Sequence, residues 1–216
     1  MKRILLILAI ITGAMMVSCN PDDDDNNNNG GNNGNGQHNG HEYVDIGLPS
    51  GLKWATCNVG ASSPEDYGDY FAWGETSPKA EYTWENSVTY GEQMSDISGN
   101  AQYDAATANW GGSWRMPTKE QMEELVEHCE WEWTQVNEVN GAKVIGPNGS
   151  SIFLPAAGYR NGSSLDDDGS FGGYYGSSTP NDYDYGRAFY LDFYDGYEGV
   201  YNLSRHYGWT VRPITE

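Results

Sequence analysis

The segment from Ser177 to Gly199 is dense in side chains that suit binding. It holds five tyrosines and four aspartates among serine, asparagine and glycine, and it holds no lysine. Tyrosine offers a large contact surface with only two side-chain torsions to fix, and Asp, Asn and Ser add adaptable hydrogen bonds. Binding surfaces are enriched in tyrosine for this reason. We therefore predict a ligand-binding face formed by Tyr183, Tyr185, Tyr190, Asp192, Tyr194, Tyr197, Tyr201, Asn202, His206 and Tyr207.

The heptapeptide AFYLDFY within this segment alternates, as a strand with one buried face does. The pattern predicts burial of Phe189, Leu191 and Phe193, and display of Tyr190, Asp192 and Tyr194. Contacts to acidic or aromatic groups of a ligand would come from Arg187, Arg205 and His206. Since tyrosine also forms strands well, an outer sheet face without a ligand is the alternative interpretation.

Residue patterns typical of catalysis do not stand out. The four histidines lack metal-ligand spacing, and HExxH, CxxC and GxSxG motifs do not occur. With 31 acidic residues, some carboxylate pair always suits glycoside hydrolysis, so that signal has no specificity. We therefore predict no catalytic residue.

The acidic run from Leu165 to Ser170 is a candidate for a calcium ion, because hard cations take carboxylate and carbonyl oxygens. The run lacks the alternating ligand spacing of an EF-hand, so a solvated turn is the favoured interpretation. We expect no other cofactor.

Two cysteines and two arginines of the domain have structural interpretations. In an oxidising compartment Cys57 and Cys129 permit one disulfide, with two buried thiols as the alternative. Arg115 lies between tryptophan and methionine in GGSWRMP, and Arg212 precedes a proline. We expect both guanidinium groups to make buried or stacked structural contacts.

The N-terminus resembles a lipoprotein leader. Met1-Lys2-Arg3 is positive, residues 4–17 are apolar, and the stretch ends at Cys19, which makes it too short for a stable membrane span. The position of Cys19 resembles the lipobox of bacterial lipoproteins, which implies lipidation there. An ordinary signal peptide is the alternative. We expect an outer-membrane lipoprotein that contacts the membrane only through its lipid.

Residues 20–40 predict a disordered tether, because Asn, Asp and Gly bury too little apolar surface to offset the entropy of ordering. The run Asp22 to Asp25 resembles the surface-export signal of Bacteroidetes lipoproteins, which favours cell-surface display over a periplasm-facing spacer. The net charge of −20 repels nucleic acid and anionic lipid, so we expect no nucleic-acid partner.

Residues 41–216 predict one α+β domain of mainly antiparallel strands with one clear helix. The helix begins at Thr118, which forms a capping box with Gln121, and ends near His128. A three-stranded antiparallel meander follows from Glu130. Its first turn signal is Asn140-Gly141.

Five motifs now combine into a resemblance: YVDIGLPSGLKWATCNVGA, PEDYGDYFAWGET, NWGGSWRMPTKEQMEEL, NGAKVIGPNGSSIFLPAAGYRNG and GWTVRPI. In this order they resemble the Fibrobacter succinogenes major paralogous domain, a family abundant in Bacteroidetes lipoproteins, over nearly all of residues 43–214. The resemblance implies a C-type-lectin-like fold. In such folds the termini pair in one sheet, and the late loops and strands present a ligand surface.

The resemblance implies no established activity. Some relatives resemble targets of diversity-generating retroelements, which vary a segment near the C-terminus, and the tyrosine-rich segment has that composition and position. We predict a surface-anchored binding or adhesion module whose ligand is a glycan or a protein. The alternatives are an enzyme related to the formylglycine-generating branch of the fold group and a structural subunit of a surface appendage.

Overall fold

A computed structural model of the chain describes residues 34–166 and 172–216. The predicted leader with Cys19, the tether up to residue 33 and most of the acidic run after Asp166 lie outside the described residues. Within the described ranges strands dominate, which confirms the α+β class. No helix in these ranges has the length and apolar character needed to cross a membrane.

The described residues contain two α-helices, α1 (Ala105–Trp110) and α2 (Lys119–His128), and a 3₁₀ turn over Trp84–Asn86. The strands are β1 (Gly36–His38), β2 (His41–Val44), β3 (Lys53–Ala55), β4 (Glu130–Val136), β5 (Val139–Ile145), β6 (Ser151–Pro155), β7 (Tyr159–Asn161), β8 (Ser164–Asp166), β9 (Gly173–Pro180), β10 (Arg187–Tyr194), β11 (Tyr197–Ser204) and β12 (Ile214–Thr215). These strands form four antiparallel sheets, with strand orders β1-β2-β3-β12, β4-β5-β6, β7-β8 and β11-β10-β9.

The first sheet joins the two ends of the domain. Strand β3 lies between β2 and β12, with Trp54 opposite Ile214 and Lys53 opposite Thr215. Trp54 and Ile214 are both buried in an apolar cluster that also contains side chains of α2 and of the meander. The resemblance implied this pairing of the termini, and the structure has it.

The ordered domain begins before residue 41, so the predicted tether is too long at its C-terminal end. Strand β1 pairs with β2 through a two-residue turn, in which Asn39 and Gly40 have φ of 48° and 79°. Positive φ at both positions matches the right-handed strand twist of a tight hairpin. The indole N–H of Trp114 donates to the His38 carbonyl (2.8 Å), and the Ser113 N–H donates to His38 Nε2 (3.0 Å).

Helix α2 begins and ends where the sequence predicts. The Thr118 hydroxyl accepts from the Gln121 N–H (3.4 Å), and Gln121 Oε1 accepts from the Thr118 N–H (2.9 Å), which completes the capping box. Met122 and Leu125 are buried, and the helix packs against β9, β10 and β11. The helix therefore covers one side of the sheet that carries the tyrosine-rich segment.

Arg212 and Arg115 make the structural contacts predicted for them. Arg212 is fully buried and donates to Asn58 Oδ1 (2.8 Å), the Phe153 carbonyl (3.0 Å) and two further backbone carbonyls. Arg115 donates to Gln121 Oε1 (3.0 Å) at the start of α2. Both guanidinium groups therefore tie loops to elements of the core.

The three-stranded meander is confirmed, but its first turn is not where the sequence placed it. The turn lies at Asn137-Glu138, which have φ of 46° and 69°, whereas Asn140 and Gly141 pair inside β5. Gly141 is needed for close strand packing, because a Cβ there would lie 2.4 Å from the carbonyl oxygen of Leu154. The predicted turn at Asn140-Gly141 is therefore wrong.

Gly141→Ala should lower the free energy of unfolding by about 1–3 kcal/mol, because the added methyl group forces β5 and β6 apart. Gly176→Ala is the matched control, since a Cβ there would meet its nearest atom at an ordinary 3.4 Å. Urea denaturation of both variants measures the difference. Equal midpoints for Gly141→Ala and the parent chain would contradict this account of the strand.

Candidate binding face

The sheet β9–β10–β11 carries four of the seven predicted tyrosines, all on the side that faces away from α2. Strand pairing sets Tyr190 opposite Tyr201, Tyr194 opposite Tyr197, and Asp192 opposite Tyr174. Residues directly opposite one another share a face of the sheet. We call this side the tyrosine face, and its members are Tyr174, Tyr190, Asp192, Tyr194, Tyr197 and Tyr201.

Three rings form a stack along the β10–β11 hairpin. The ring of Tyr197 lies 4.6 Å from that of Tyr194 and 6.2 Å from that of Tyr201, with 19° between the planes in each pair. The Tyr197 hydroxyl donates a hydrogen bond to the Tyr201 hydroxyl. Because ionisation would forfeit this bond, the pKa of Tyr197 is raised to about 12. Tyr194 and Tyr201 are each nearly half exposed, so a ligand can reach the stack.

The predicted display of Tyr190 is wrong. Its side chain is only 7% exposed, since it lies between the rings of Trp209 (5.4 Å) and Tyr174 (5.8 Å). Gly176, directly opposite Tyr190, has no side chain, and the Trp209 indole lies over it, 3.4 Å from where a Cβ would stand. Tyr190 thus forms the floor of the face. Burial is also the main cause that raises its pKa.

The inward side of β10 follows the prediction in part. Leu191 and Phe193 are buried in the cluster beneath α2, as the alternation predicted. Phe189 is only partly buried, and the Lys119 ammonium lies 5.0 Å from its ring centroid.

Asn202 does not belong to the tyrosine face. It pairs with Phe189, on the side of the sheet that faces α2, whereas its neighbour Tyr201 pairs with Tyr190. Adjacent strand residues point to opposite faces, so Tyr201 and Asn202 cannot both contact one ligand on this sheet. Composition places Tyr201 and Asn202 in one site, whereas the two-residue period of the strand separates them.

A second exposed surface, which we call the loop patch, comes from two loops. Its members and their exposed fractions are Trp84 (58%), Val88 (70%), Tyr90 (40%), Tyr183 (99%) and Tyr185 (38%). The Gly91 N–H donates to the Tyr185 carbonyl (3.1 Å), which joins the loops. Tyr183 and Tyr185 were predicted to bind ligand, whereas the residues from 84 to 90 were missed, because that loop has no periodic pattern.

His206 and Tyr207 connect the loop patch to the tyrosine face. A continuous row of rings results, in which neighbouring centroids are 4.3 to 6.4 Å apart. We call this row the aromatic track, and its members in spatial order are Trp84, Tyr90, His206, Tyr207, Tyr159, Tyr174 and Tyr190. Both His206 and Tyr207 were predicted site residues, and the structure brings them together with Tyr190 through Tyr159 and Tyr174.

Arg205 supports the site from inside rather than contacting a ligand. Its side chain is fully buried, and its guanidinium lies 4.2 Å from the Trp73 ring centroid. It donates to the carbonyls of Arg187 (3.0 Å), Thr89 (3.1 Å) and Glu92 (2.8 Å). Burial lowers its pKa to about 10, so it stays a cation at neutral pH. The expected ligand contact of Arg205 is therefore wrong.

Charged groups beside the aromatic track are mostly acidic or already paired. Arg187 contacts Asp184 (3.3 Å), and Lys79 contacts Glu75 (2.9 Å). Burial is the largest cause lowering the pKa of His206, which keeps its ring neutral at pH 7. The track therefore presents uncharged rings to solvent at the Trp84–Tyr90 end, while its remaining rings are partly buried or buried.

One known family matches most of the chain. The family model of the Lcl C-terminal domain matches residues 48–214. The chain belongs to the Lcl C-terminal domain family. This match is consistent with the resemblance to the Fibrobacter major paralogous domain and includes every residue of the tyrosine face. Neither a curated protein nor a solved structure matches the chain.

The cysteines of this family member do not form the disulfide considered above, because Cys129 carries a free thiol. Cys129 ends α2 and packs against the cluster beneath the helix. Burial, with the charge of Glu124, raises the pKa of its thiol to about 11, so the nucleophilic thiolate is scarce at neutral pH. In residues 34–166 and 172–216, no group of three or more His, Cys, Asp or Glu side chains is placed to hold a metal ion.

Arg205→Met should destabilise the fold by roughly 2–5 kcal/mol, because it leaves buried carbonyls without a donor. Arg187→Met, which removes only an exposed partner of Asp184, is the control and should change stability by less than about 0.5 kcal/mol. Thermal unfolding followed by circular dichroism measures both. If Arg205→Met and Arg187→Met lose similar amounts of stability, Arg205 does not support the site.

Proposed function

We propose that this protein is a binding or adhesion module that contacts its ligand with the tyrosine face and the aromatic track. The observation that carries the proposal is a continuous row of rings, held in place from below and open to solvent at its exposed end. Membership of the Lcl C-terminal domain family suggests a surface or adhesion-type module. The ligand is a glycan or a protein.

Rigidity supports this function. The rings of Tyr194, Tyr197 and Tyr201 are stacked against one another before any ligand arrives. Binding then costs little additional side-chain entropy, so less of the free energy gained by removing water from the rings is lost to ordering them. The same arrangement without a ligand would leave a large aromatic area exposed to water, which folded domains seldom retain without use.

The proposed location is the outer face of the outer membrane. The positive and apolar leader that ends at Cys19 supports lipid attachment there, and the acidic run at residues 22–25 supports export to the surface. The sequence rich in Asn and Gly that follows Cys19 would then act as a tether that lets the face reach ligands away from the membrane.

Tyr201→Ala and Asn202→Ala form a matched pair that tests which face of the sheet binds. Tyr201→Ala should weaken adhesion about tenfold, since aromatic residues at the centre of an interface contribute most of its affinity. Asn202→Ala should bind like the parent chain. Cells displaying each chain are measured for attachment to a glycan array and to an array of extracellular-matrix proteins.

Cys19→Ser serves as the anchoring control in the same experiment, because loss of the lipid should release the chain from the cell envelope. If Cys19→Ser is still found in the membrane fraction, the proposed lipidation is contradicted.

Equal attachment by cells that carry Tyr201→Ala and cells that carry the parent chain would contradict the proposed binding face. A larger loss of attachment with Asn202→Ala than with Tyr201→Ala would contradict it too.

A further inference from the structure

Trp84 is exposed, whereas the other tryptophans of the described residues are buried or, like Trp131 and Trp133, partly buried. Its side chain is 58% exposed, whereas Trp54, Trp73, Trp114 and Trp209 are at most 1% exposed. A tryptophan contributes one of the largest apolar surfaces of any side chain, so leaving it in water forgoes a large stabilisation. Its exposure is explained if a partner covers the ring.

The backbone beneath Trp84 is held firmly. The Thr83 N–H donates to Asn86 Oδ1 (3.2 Å), and the Asn86 side-chain amide donates to the Glu81 carbonyl (2.9 Å). The Lys79 ammonium donates to the Asn86 carbonyl (3.2 Å). These bonds fix the 3₁₀ turn, so Trp84 is presented at one end of the aromatic track.

The shape of the exposed apolar surface distinguishes between ligand classes. Among the described residues, six of the seven large apolar side chains that are exposed are aromatic, and Val88 is the aliphatic one. The cores of protein interfaces are compact and also enriched in methionine and arginine. Two of these six rings, Trp84 and Tyr90, are neighbours at the open end of the aromatic track, which suits the flat units of a sugar chain. The C–H faces of sugar rings stack on the electron-rich faces of Trp and Tyr.

Charge narrows the ligand class further. Glu85 and Asp184 lie at the loop-patch end of the track, and the neighbouring cations Lys79 and Arg187 already contact carboxylates. With a net charge of −20, the chain repels anionic polymers. An uncharged ligand meets no such repulsion, and its hydroxyl groups can donate to the carboxylates.

We infer that the aromatic track binds an uncharged, linear glycan, whose sugar rings stack on the exposed rings of Trp84 and Tyr90 and continue past the partly buried rings towards Tyr174. The inference rests on the proposed binding function and names the ligand class of the same site. It also assigns a ligand contact to Trp84, which the residue composition of the C-terminal segment did not indicate.

The test titrates the full chain, purified in detergent, with uncharged hexasaccharides of glucose, xylose and mannose and with a hexasaccharide of galacturonic acid. Calorimetry and tryptophan fluorescence measure binding. We expect at least one uncharged hexasaccharide to bind, its disaccharide to bind at least about tenfold more weakly, and the acidic one not to bind. Trp84→Ala should weaken binding about tenfold, and Trp84→Phe should retain most of it.

Val88→Ala is the matched control, because Val88 is an exposed neighbour of Trp84 and offers no ring to a sugar. Binding within about twofold of the parent chain is expected, and thermal unfolding checks that every variant is folded.

If no uncharged hexasaccharide binds, but displayed chains still attach to a matrix protein through Tyr201, the glycan inference is overturned and the proposed function remains. Glycan binding that is unchanged in Trp84→Ala overturns the track as its site. Absence of both kinds of attachment overturns the proposed function itself.

Discussion

A single buried guanidinium holds together the segments that build the binding face. Arg205 follows β11 and donates to the carbonyl of Arg187, where β10 begins, and to the carbonyls of Thr89 and Glu92 in the loop that presents Tyr90. Together with the Gly91–Tyr185 backbone hydrogen bond, these bonds fix the loop patch relative to the tyrosine face. The planar fork of arginine suits this role, since it reaches several carbonyls at once.

The sheet β9–β10–β11 packs against apolar clusters on both of its sides. Towards α2, Leu191 lies in one cluster, and on the other side Tyr190 lies in a second cluster with Trp209. The exposed rings of Tyr194 and Tyr201 lie on the same side as Tyr190 but outside that cluster. Strand period therefore separates two buried layers, and only the exposed rings can change without disturbing either of them.

Local signals in the sequence predicted local structure well. The capping box of Thr118 and Gln121 depends on neighbours in the chain, and α2 begins where the box predicts. Turn residues were less informative, because a glycine serves turns and close packing alike. Asn39-Gly40 forms a turn inside the predicted tether, whereas Asn140-Gly141 lies within a strand.

The candidate site could be predicted only in outline, since exposure depends on contacts between distant segments. Tyr190 is buried by Trp209, which the alternation of its own strand cannot reveal. Trp84 contacts Tyr90, and Tyr90 joins the rest of the track through His206, a neighbour in space and not in sequence. Composition alone therefore identified the tyrosine-rich segment but not the end of the track.

Hydroxyl-radical footprinting of the full chain, free and saturated with a bound hexasaccharide, tests the central claim most directly. The account predicts strong labelling of Trp84, Tyr194 and Tyr201 in the free chain, little labelling of Tyr190, and protection of Trp84 and its neighbours along the track on binding. Strong labelling of Tyr190 in the free chain, or a ligand that leaves every ring of the track as reactive as before, would contradict it.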